Sequence, residues 1–229
     1  MTRRSSAKPV LNYSADLVWA AACAAYRING GYNKTPVYND DGAKIVAPAN
    51  KELVKLYLAD DSHQFITEAD YEHGRHCREV LSQQVTLAAL KNQANEWNLL
   101  TAKMAKLETV TSNYEVAVIA SMPKGYEKSI ERESIEARLA RCETSSLGKE
   151  KERINLTVEV VKAGYSQKYN THFITAITPD NHAVFFAYRE HLKTGTNIQI
   201  TGTIKRHTDR VTQLNRVKLL ETTKWLNSS

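Results

Sequence analysis

Basic side chains, the groups best suited to binding a polyanion, are concentrated in the last third of this 229-residue chain. Residues 151–229 hold 12 of the 31 lysines and arginines against six acidic residues, whereas residues 1–150 hold 19 of each. The net charge of +6 therefore belongs to the last third, which predicts a polyanionic partner, most often a nucleic acid. A solubilising surface is the simpler alternative. The twelve basic residues are Lys151, Arg153, Lys162, Lys168, Arg189, Lys193, Lys205, Arg206, Arg210, Arg216, Lys218 and Lys224.

His73, His76 and Cys77 have the spacing of metal ligands on a helix. Positions i, i+3 and i+4 share a helix face, and imidazole and thiolate are good zinc ligands. A structural zinc site needs a fourth ligand, for which the candidates are Cys142, Cys23 and His63. Because no paired motif such as C-x-x-C accompanies them, we interpret the three residues as an ordinary half-exposed helix face. We predict no metal or other cofactor.

Catalytic motifs are absent from the sequence, which has no P-loop, no G-x-S-x-G and no H-E-x-x-H. The pairs Asp40-Asp41 and Asp60-Asp61 could hold Mg²⁺ in a nuclease, but both lie beside turn signals, and a turn is the simpler interpretation. The sequence therefore predicts a protein that is not an enzyme.

The composition excludes several classes of protein. A hydrophobic content of 42% with 24% charged residues is globular, so disordered and collagen-like chains are excluded. The longest apolar run, Leu17 to Ala25, is far short of the ~18 residues that span a membrane. Residues 1–8 are basic, but no signal-peptide core follows them. Because Cys23, Cys77 and Cys142 are too scattered for a disulfide framework, we expect a cytoplasmic protein.

Helical periodicity dominates the first two-thirds of the chain. The predicted elements are a helix from Ser14 to about Ile28, a hairpin over residues 37–46, a helix over 52–58, a helix from Thr67 to about Gln84, one amphipathic helix from Val85 to Leu107, a strand or buried helix over 114–120, a break at Pro123-Lys-Gly125 and a charged helix from Ser129 to Cys142.

After residue 145 the period changes from 3.6 to 2, as in a half-buried strand. Predicted strands cover residues 154–160, 169–178, 182–189, 198–205 and 211–220. Five short strands in so few residues favour a small barrel. The predicted fold class is α+β, with a mostly helical domain at residues 1–144 and a five-stranded antiparallel barrel at residues 145–229.

The stretch from Leu192 through Gly195 and Gly202 to Lys205 resembles the fourth strand of OB-folds. There a glycine precedes an alternating apolar strand, and a mid-strand glycine lets the strand bend at the barrel corner. The run onward to Lys218 looks like the hairpin that follows, and Ser146-Leu-Gly148 fits the opening of such modules. Residues 145–222 are similar to OB modules of replication and recombination proteins of bacterial viruses.

That resemblance implies a binding groove on the second and third strands, where basic residues contact phosphates and aromatic rings stack on bases. Tyrosine stacks well while its hydroxyl stays in water, whereas the phenylalanines at 173, 185 and 186 are expected in the core more than in the groove. The pair Lys205-Arg206 is the strongest phosphate-contact candidate. The full set of predicted binding residues is Lys162, Tyr165, Lys168, Tyr169, Phe186, Tyr188, Arg189, Lys205, Arg206, His207, Arg210, Arg216 and Lys218.

We therefore expect a phage-encoded, non-catalytic protein that binds single-stranded DNA during replication, recombination or transcription in the host cytoplasm. Its helical domain is expected to form homo-oligomers or to recruit a replication or transcription protein, with no membrane partner. Two alternatives stay open: an accessory subunit that delivers substrate to a nuclease or polymerase, and a module that binds protein or RNA.

Overall fold

The computed structural model describes residues 11–90, 92, 95–208 and 210–220, with residues 60–62 described by their backbone alone. The predictions made for residues 1–8 and for the Asp60 and Asp61 carboxylates lie outside these residues. The chain forms two compact units, Met1–Ile130 and Glu131–Ser229. Among the described residues, no helix combines the length and the apolar character needed to cross a membrane.

The first unit is mainly helical, and two short antiparallel strand pairs accompany the helices. Its elements are β1 (Tyr13–Ser14), α1 (Ala15–Ile28), β2 (Val37–Tyr38), β3 (Ile45–Ala47), α2 (Asn50–Tyr57), a 3₁₀ helix (Asp60–Phe65), α3 (Glu68–Leu90), α4 (Glu96–Lys106), β4 (Thr109–Val110), α5 (Asn113–Ile119) and the first part of α6 (Met122–Ala140).

Helix α1 is the centre of this unit and forms as its sequence predicts. The Ser14 side chain accepts a hydrogen bond from the Leu17 amide at 3.3 Å, which satisfies one of the free amides at the helix start. The helix ends where Gly30 takes a positive φ of 62°. Seven of its residues, from Val18 to Ala24, are no more than 2% exposed, so α1 is surrounded by the rest of the unit.

Two ion pairs join α1 to α3. Arg27 of α1 binds Asp70 of α3 in a bidentate ion pair, with Nε donating to Oδ1 at 3.0 Å and Nη2 to Oδ2 at 2.8 Å. Arg78 Nη1 of α3 lies 2.8 Å from Asp16 Oδ1 of α1. Burial by itself raises the pKa of the Asp70 carboxyl, but hydrogen bonds from Arg27 and Thr67 outweigh burial and bring the pKa below its usual value. Because the last turn of one helix meets the first turns of the other, the two helices run antiparallel.

Two helix boundaries differ from the prediction. The predicted single helix from Val85 to Leu107 is wrong, since α3 ends at Leu90 and α4 starts at Glu96. Asn95 starts the new helix because its side chain accepts a hydrogen bond from the Asn98 amide at 3.0 Å. The predicted break near Pro123 is present but comes earlier, since α5 ends at Ile119 and α6 starts at Met122; the proline itself lies in the first turn of α6, where its missing N–H is not needed.

The second unit contains a closed five-stranded barrel. Its strands are β5 (Arg153–Ser166), β6 (Thr171–Ile177), β7 (Ala183–Tyr188), β8 (Asn197–Thr208) and β9 (Val211–Leu220), in the ring order β5-β6-β7-β9-β8. Neighbours are antiparallel except β7 and β9, which pair in parallel. The prediction of a purely antiparallel barrel is therefore wrong, because an odd number of strands in a closed ring cannot alternate in direction throughout. A barrel of this kind is compatible with an OB-like fold.

The prediction that helices are confined to the N-terminal unit is wrong, because the last turns of α6 pack within the second unit. Arg138 binds both carboxylate oxygens of Glu159 on β5, at 3.0 and 2.7 Å. Those hydrogen bonds hold the pKa of Glu159 below its usual value. Ile135 and Leu139 of the same turns pack against a buried cluster that includes Val161 of β5.

The register of β6 and β7 decides which side chains face the barrel core. Ile174 pairs with Phe186, and both are buried in the main barrel cluster. Because successive strand residues point to opposite faces, Phe173 and Phe185 point outward. Both are partly exposed, in agreement with that register.

Gly202 of β8 lies at the packed interior rather than at a bend that demands an unusual φ. A Cβ at this position would come within 3.1 Å of the Val217 Cγ2 atom and 3.4 Å of Leu214. Glycine is therefore needed for close packing between β8 and β9, which is a second reason for the mid-strand glycine that the sequence singled out.

Candidate nucleic-acid interface

A single row of outward-facing residues crosses all five strands of the barrel. Lys162 pairs with Thr175, Thr175 with Phe185, Phe185 with Gln213, and Gln213 with Arg206. Directly opposed residues share a sheet face, so a cation lies at each end of a row with Phe185 at its centre. Both Lys162 and Arg206 are exposed.

Three aromatic rings lie on the outer side of β6 and β7, and we call Tyr169, Phe173 and Phe185 the aromatic face. The Phe173 and Phe185 rings are stacked, with centroids 5.7 Å apart and planes 15° apart. Tyr169, from the turn between β5 and β6, meets Phe173 edge-on at 6.0 Å. Tyr169 is 62% exposed, so its ring offers an uncovered face to solvent.

Small residues flank this face. Phe173 pairs with Gly164 on one side and with Ala187 on the other. A Cβ at Gly164 would meet nothing within 4 Å, so the space beside the Phe173 ring is open. A glycine inside a strand often marks a place where a ligand approaches the backbone closely.

The aromatic face also has a cation directly against it. The Lys168 ammonium lies over the Tyr169 ring, 5.3 Å from its centroid. Farther along the outer row, Arg206 donates from Nε to the side-chain oxygen of its strand partner Gln213 at 2.8 Å. Exposed cations beside aromatic rings are the combination used to bind single-stranded nucleic acid.

Tyr165 and Tyr188 belong to a different group, at the rim of the barrel interior. Tyr165 pairs with His172, and His172 pairs with Tyr188, on the face that continues into the core. The Tyr165 and His172 rings are 5.0 Å apart, and the Tyr165 hydroxyl donates to Asn170 at 2.7 Å. Tyr188 packs partly against the core, and burial raises the pKa of its hydroxyl. The prediction had placed all three tyrosines in one groove, and the structure separates Tyr169 from the other two.

Phe186, one of the candidate binding residues, lies in the barrel core. It is 1% exposed and is one of the largest side chains of the barrel core. A ring packed on all sides has no free face on which a base could stack. The prediction correctly placed Phe186 and Tyr188 on one face of the strand, but that face is the inner one.

Two of the predicted binding residues, His207 and Arg210, have hydrogen-bond partners within the chain. Both ring nitrogens of His207 have partners: Nδ1 lies 3.0 Å from the Thr212 hydroxyl oxygen, and Nε2 lies 2.9 Å from the Gly148 carbonyl oxygen. Arg210 donates to the Ala140 carbonyl oxygen at the end of α6. These contacts tie the β8–β9 hairpin to the segments that precede the barrel.

The remaining basic candidates are exposed but are not gathered at the aromatic face. Arg216 sits in a bulge of β9 with a positive φ of 52°, so it lies outside the regular alternation. Lys218 lies five residues beyond Gln213, roughly 16 Å along an extended strand. Lys205 of β8 and Arg189, which directly follows β7, are exposed.

Sequence reasoning missed Phe173 and Phe185 as surface residues by assigning them to the core. The signal was present in β6, where polar Thr175 shares a face with Phe173 while Ile174 and Ala176 share the other. In β7 both faces are apolar, so alternation alone could not tell Phe185 from Phe186.

The first unit contains the group of described residues with metal-ligand geometry. Ligand atoms of Cys23, His73 and Cys77 all lie within 4.8 Å of one another. His76 is not part of this group, and the His63 ring lies 3.3 Å from the Leu58 carbonyl oxygen. Cys142 packs in the second unit, so Cys23 is the candidate that joins His73 and Cys77. All three cysteines are free thiols.

Comparison with known proteins identifies no relative of this chain: no protein-family model, no curated protein and no solved structure matches it. The class that its second unit defines is therefore a structural one, a closed five-stranded barrel with an exposed aromatic and basic outer surface.

Proposed function

We propose that the barrel binds single-stranded DNA through the aromatic face, without catalysing a reaction. The observation that carries the proposal is the outward stacking of Phe173 and Phe185 beside the exposed Tyr169. Apolar rings on the outside of a sheet gain the full free energy of burial only when another surface covers them. A nucleic-acid base is a flat apolar surface that would cover them.

Charge supports the same partner. Lys162 and Arg206 end the row through Phe185, and Lys168 lies over Tyr169. A strand whose bases stack on the rings has its phosphates on the outside of the stack, where the flexible Lys168 side chain beside Tyr169 can contact them. We expect binding to be tolerant of sequence, because each base offers a stacking surface and the cations contact only phosphates.

A duplex is a poorer partner for this surface. Its bases are already stacked on one another and are not available to the three rings without unpairing. Sequence-independent contacts with phosphates alone would remain, and these weaken steeply with salt. We therefore expect replication, recombination or transcription intermediates with exposed single strands to be the physiological targets, as in the phage systems that the sequence resembles.

The test is fluorescence anisotropy with the full chain and labelled oligonucleotides of about 16 nucleotides, the upper end of the site size of one barrel. Single-stranded DNA, duplex DNA and single-stranded RNA are compared at two salt concentrations. Tyr169→Ala is expected to weaken single-strand binding by about 5- to 150-fold, because stacking on one ring contributes about 1–3 kcal/mol.

Tyr114 provides a matched control. It is 61% exposed, against 62% for Tyr169, and it lies in the first unit. Tyr114→Ala is expected to leave the dissociation constant unchanged within about twofold. Equal binding of duplex and single strands, a preference for RNA, or equal effects of the two tyrosine variants would refute the proposal.

A further inference from the structure

Helices α1 and α3 approach each other unusually closely, because a glycine lies at their crossing. A Cβ on Gly74 would lie 3.1 Å from both the Ala20 nitrogen and the Trp19 carbonyl carbon. The two backbones are therefore nearly in contact at this position. Side chains one turn away on either helix are consequently brought together across the crossing.

Cys23 of α1 and Cys77 of α3 are two of those side chains. They are 2% and 0% exposed. His73 lies one turn before Cys77 on the same face of α3, since i and i+4 are neighbours on a helix. It is exposed, so the group has two ligands in the interior and one at the surface. The ion pairs Arg27–Asp70 and Arg78–Asp16 fix the crossing on both sides of the group.

We propose that Cys23, His73 and Cys77 bind a zinc ion. Two sulfurs and one imidazole nitrogen form a ligand set for which zinc has high affinity, and water fills the fourth position of such three-ligand sites. That fourth position would face outward, on the side of the exposed His73.

The distances fit such a site. Tetrahedral zinc with metal–sulfur bonds of about 2.3 Å and metal–nitrogen bonds of about 2.0 Å places its ligand atoms roughly 3.5–3.8 Å apart. The three atoms here are within 4.8 Å of one another, so each pair needs to close by no more than about 1.3 Å. Rotation of the His73 side chain at the surface can supply that movement.

The neighbours of His73 are consistent with a positioned ligand. The Tyr126 ring meets the His73 ring edge-on at 5.5 Å and the His76 ring at 5.6 Å. Tyr126 packs partly against the core of the unit, so it offers a fixed surface for both imidazoles. His76 therefore shares the surroundings of His73 without lying among the three ligand atoms, which makes it a natural control.

Binding of the ion is balanced by release of protons. Each thiol gives up its proton as its sulfur bonds to zinc, so one Zn²⁺ displaces two protons, and the imidazole binds through an unprotonated nitrogen. No oxidant is involved. A disulfide between Cys23 and Cys77 would instead need an oxidant, and it is the competing outcome of the experiment.

The experiment is a titration of the full reduced chain with Co²⁺ as a spectroscopic probe, followed by displacement with Zn²⁺. One Co²⁺ per chain is expected, with a thiolate-to-cobalt charge-transfer absorption and the visible bands of a tetrahedral ion. Cys77→Ser and Cys23→Ser are expected to remove most of the charge-transfer absorption. His73→Gln is expected to weaken binding by about tenfold or more, as loss of a ligand should exceed the effect of losing a supporting contact.

Two variants serve as controls. Cys142→Ser removes the third buried thiol, which lies in the other unit, and His76→Gln removes the neighbouring imidazole; both are expected to change affinity by less than about twofold. The exposed position of His73 means that His73→Gln tests the site even if a buried cysteine variant fails to fold.

Absence of stoichiometric Co²⁺ binding overturns the proposal, as does a Cys142→Ser loss equal to that of Cys77→Ser, or an unchanged affinity in His73→Gln. A reduced chain that binds no metal but oxidises to one Cys23–Cys77 disulfide overturns it in favour of a redox pair. Because all residues of the site lie in the first unit, none of these results depends on whether the barrel binds DNA.

Discussion

Phe185 and Phe186 are adjacent in the chain and face opposite sides of the same strand, so one pair of substitutions can separate binding from stability. Phe186 is 1% exposed in the barrel core, and Phe186→Ala is expected to lower the free energy of unfolding by about 3–5 kcal/mol. Phe185 is only partly buried on the outer face, and Phe185→Ala is expected to lower it by about 1–2 kcal/mol, because less apolar surface is uncovered and no core cavity is left.

The losses of DNA affinity should follow the reverse order, with Phe185→Ala affecting binding more than Phe186→Ala. Phe185→Ala removes one ring of the aromatic face and is expected to weaken single-stranded DNA binding by about 5- to 150-fold. A core substitution leaves that surface in place, so the folded fraction of a Phe186 variant should bind like the parent chain. Phe186→Leu, which fills more of the space, provides a folded protein if Phe186→Ala does not.

The assay combines urea denaturation with anisotropy on the same preparations. The urea midpoints give the loss of unfolding free energy in each alanine variant. DNA binding is measured at urea concentrations well below the unfolding transition of each variant. Equal destabilisation by the two alanine substitutions would show that the register of β7 is wrong. Reduced binding in Phe186→Leu with unchanged binding in Phe185→Ala would show that the inner face, and not the outer one, contacts DNA.

Further predictions concern stability. Arg27→Ala is expected to lower the free energy of unfolding by about 1–2 kcal/mol near pH 7, because the buried Asp70 carboxylate loses its charged partner. The pKa of Asp70 is lower in the folded state than in the unfolded state. The stabilisation by the Arg27–Asp70 pair is therefore fully present above the unfolded-state pKa of Asp70 and is lost as the pH falls through its folded-state pKa. Denaturation of the parent chain and of Arg27→Ala near pH 7 and near pH 2 should thus show that the difference between their free energies of unfolding is smaller in acid. The same difference at both pH values would contradict this prediction. Gly202→Ala is expected to cost about 1–3 kcal/mol because its Cβ would meet Val217 at 3.1 Å. Gly164→Ala, where no atom lies within 4 Å, is the control for melting experiments, and equal shifts would refute the packing argument.

The sequence predicted most of the barrel because period-2 alternation and turn residues are local signals. The fifth strand, Val211–Leu220, was placed at its observed bounds, and the other four were located within a few residues except for the longer extensions of β5. The parallel pairing of β7 with β9 was not predicted, since alternation says nothing about which strands become neighbours. The break between Leu90 and Glu96 was hidden because apolar spacing continued across it.

The two candidate sites differed in what the sequence could reveal. In the barrel, basic residues such as Lys162 and Arg206 could be located from composition, but Phe185 could not be assigned to the aromatic face, because Phe185 and Phe186 are equivalent to a pattern-based argument. In the helical unit, the spacing of His73 and Cys77 was visible. The proposed third ligand, Cys23, was one of three candidates in the sequence, because it is 50 residues away from His73 and meets it only through packing of α1 on α3.

The parallel seam of the barrel has a consequence for how the unit opens. The register pairs Ala183–Phe185 of β7 with Val211–Gln213 of β9, the shortest pairing among the described barrel strands. Separation at this seam leaves the hairpin connections intact and converts the barrel into an open sheet with β7 and β9 as its two edges. Unpaired edges of this kind template association with other chains. The strand that carries Phe185 would thus become a free edge together with β9.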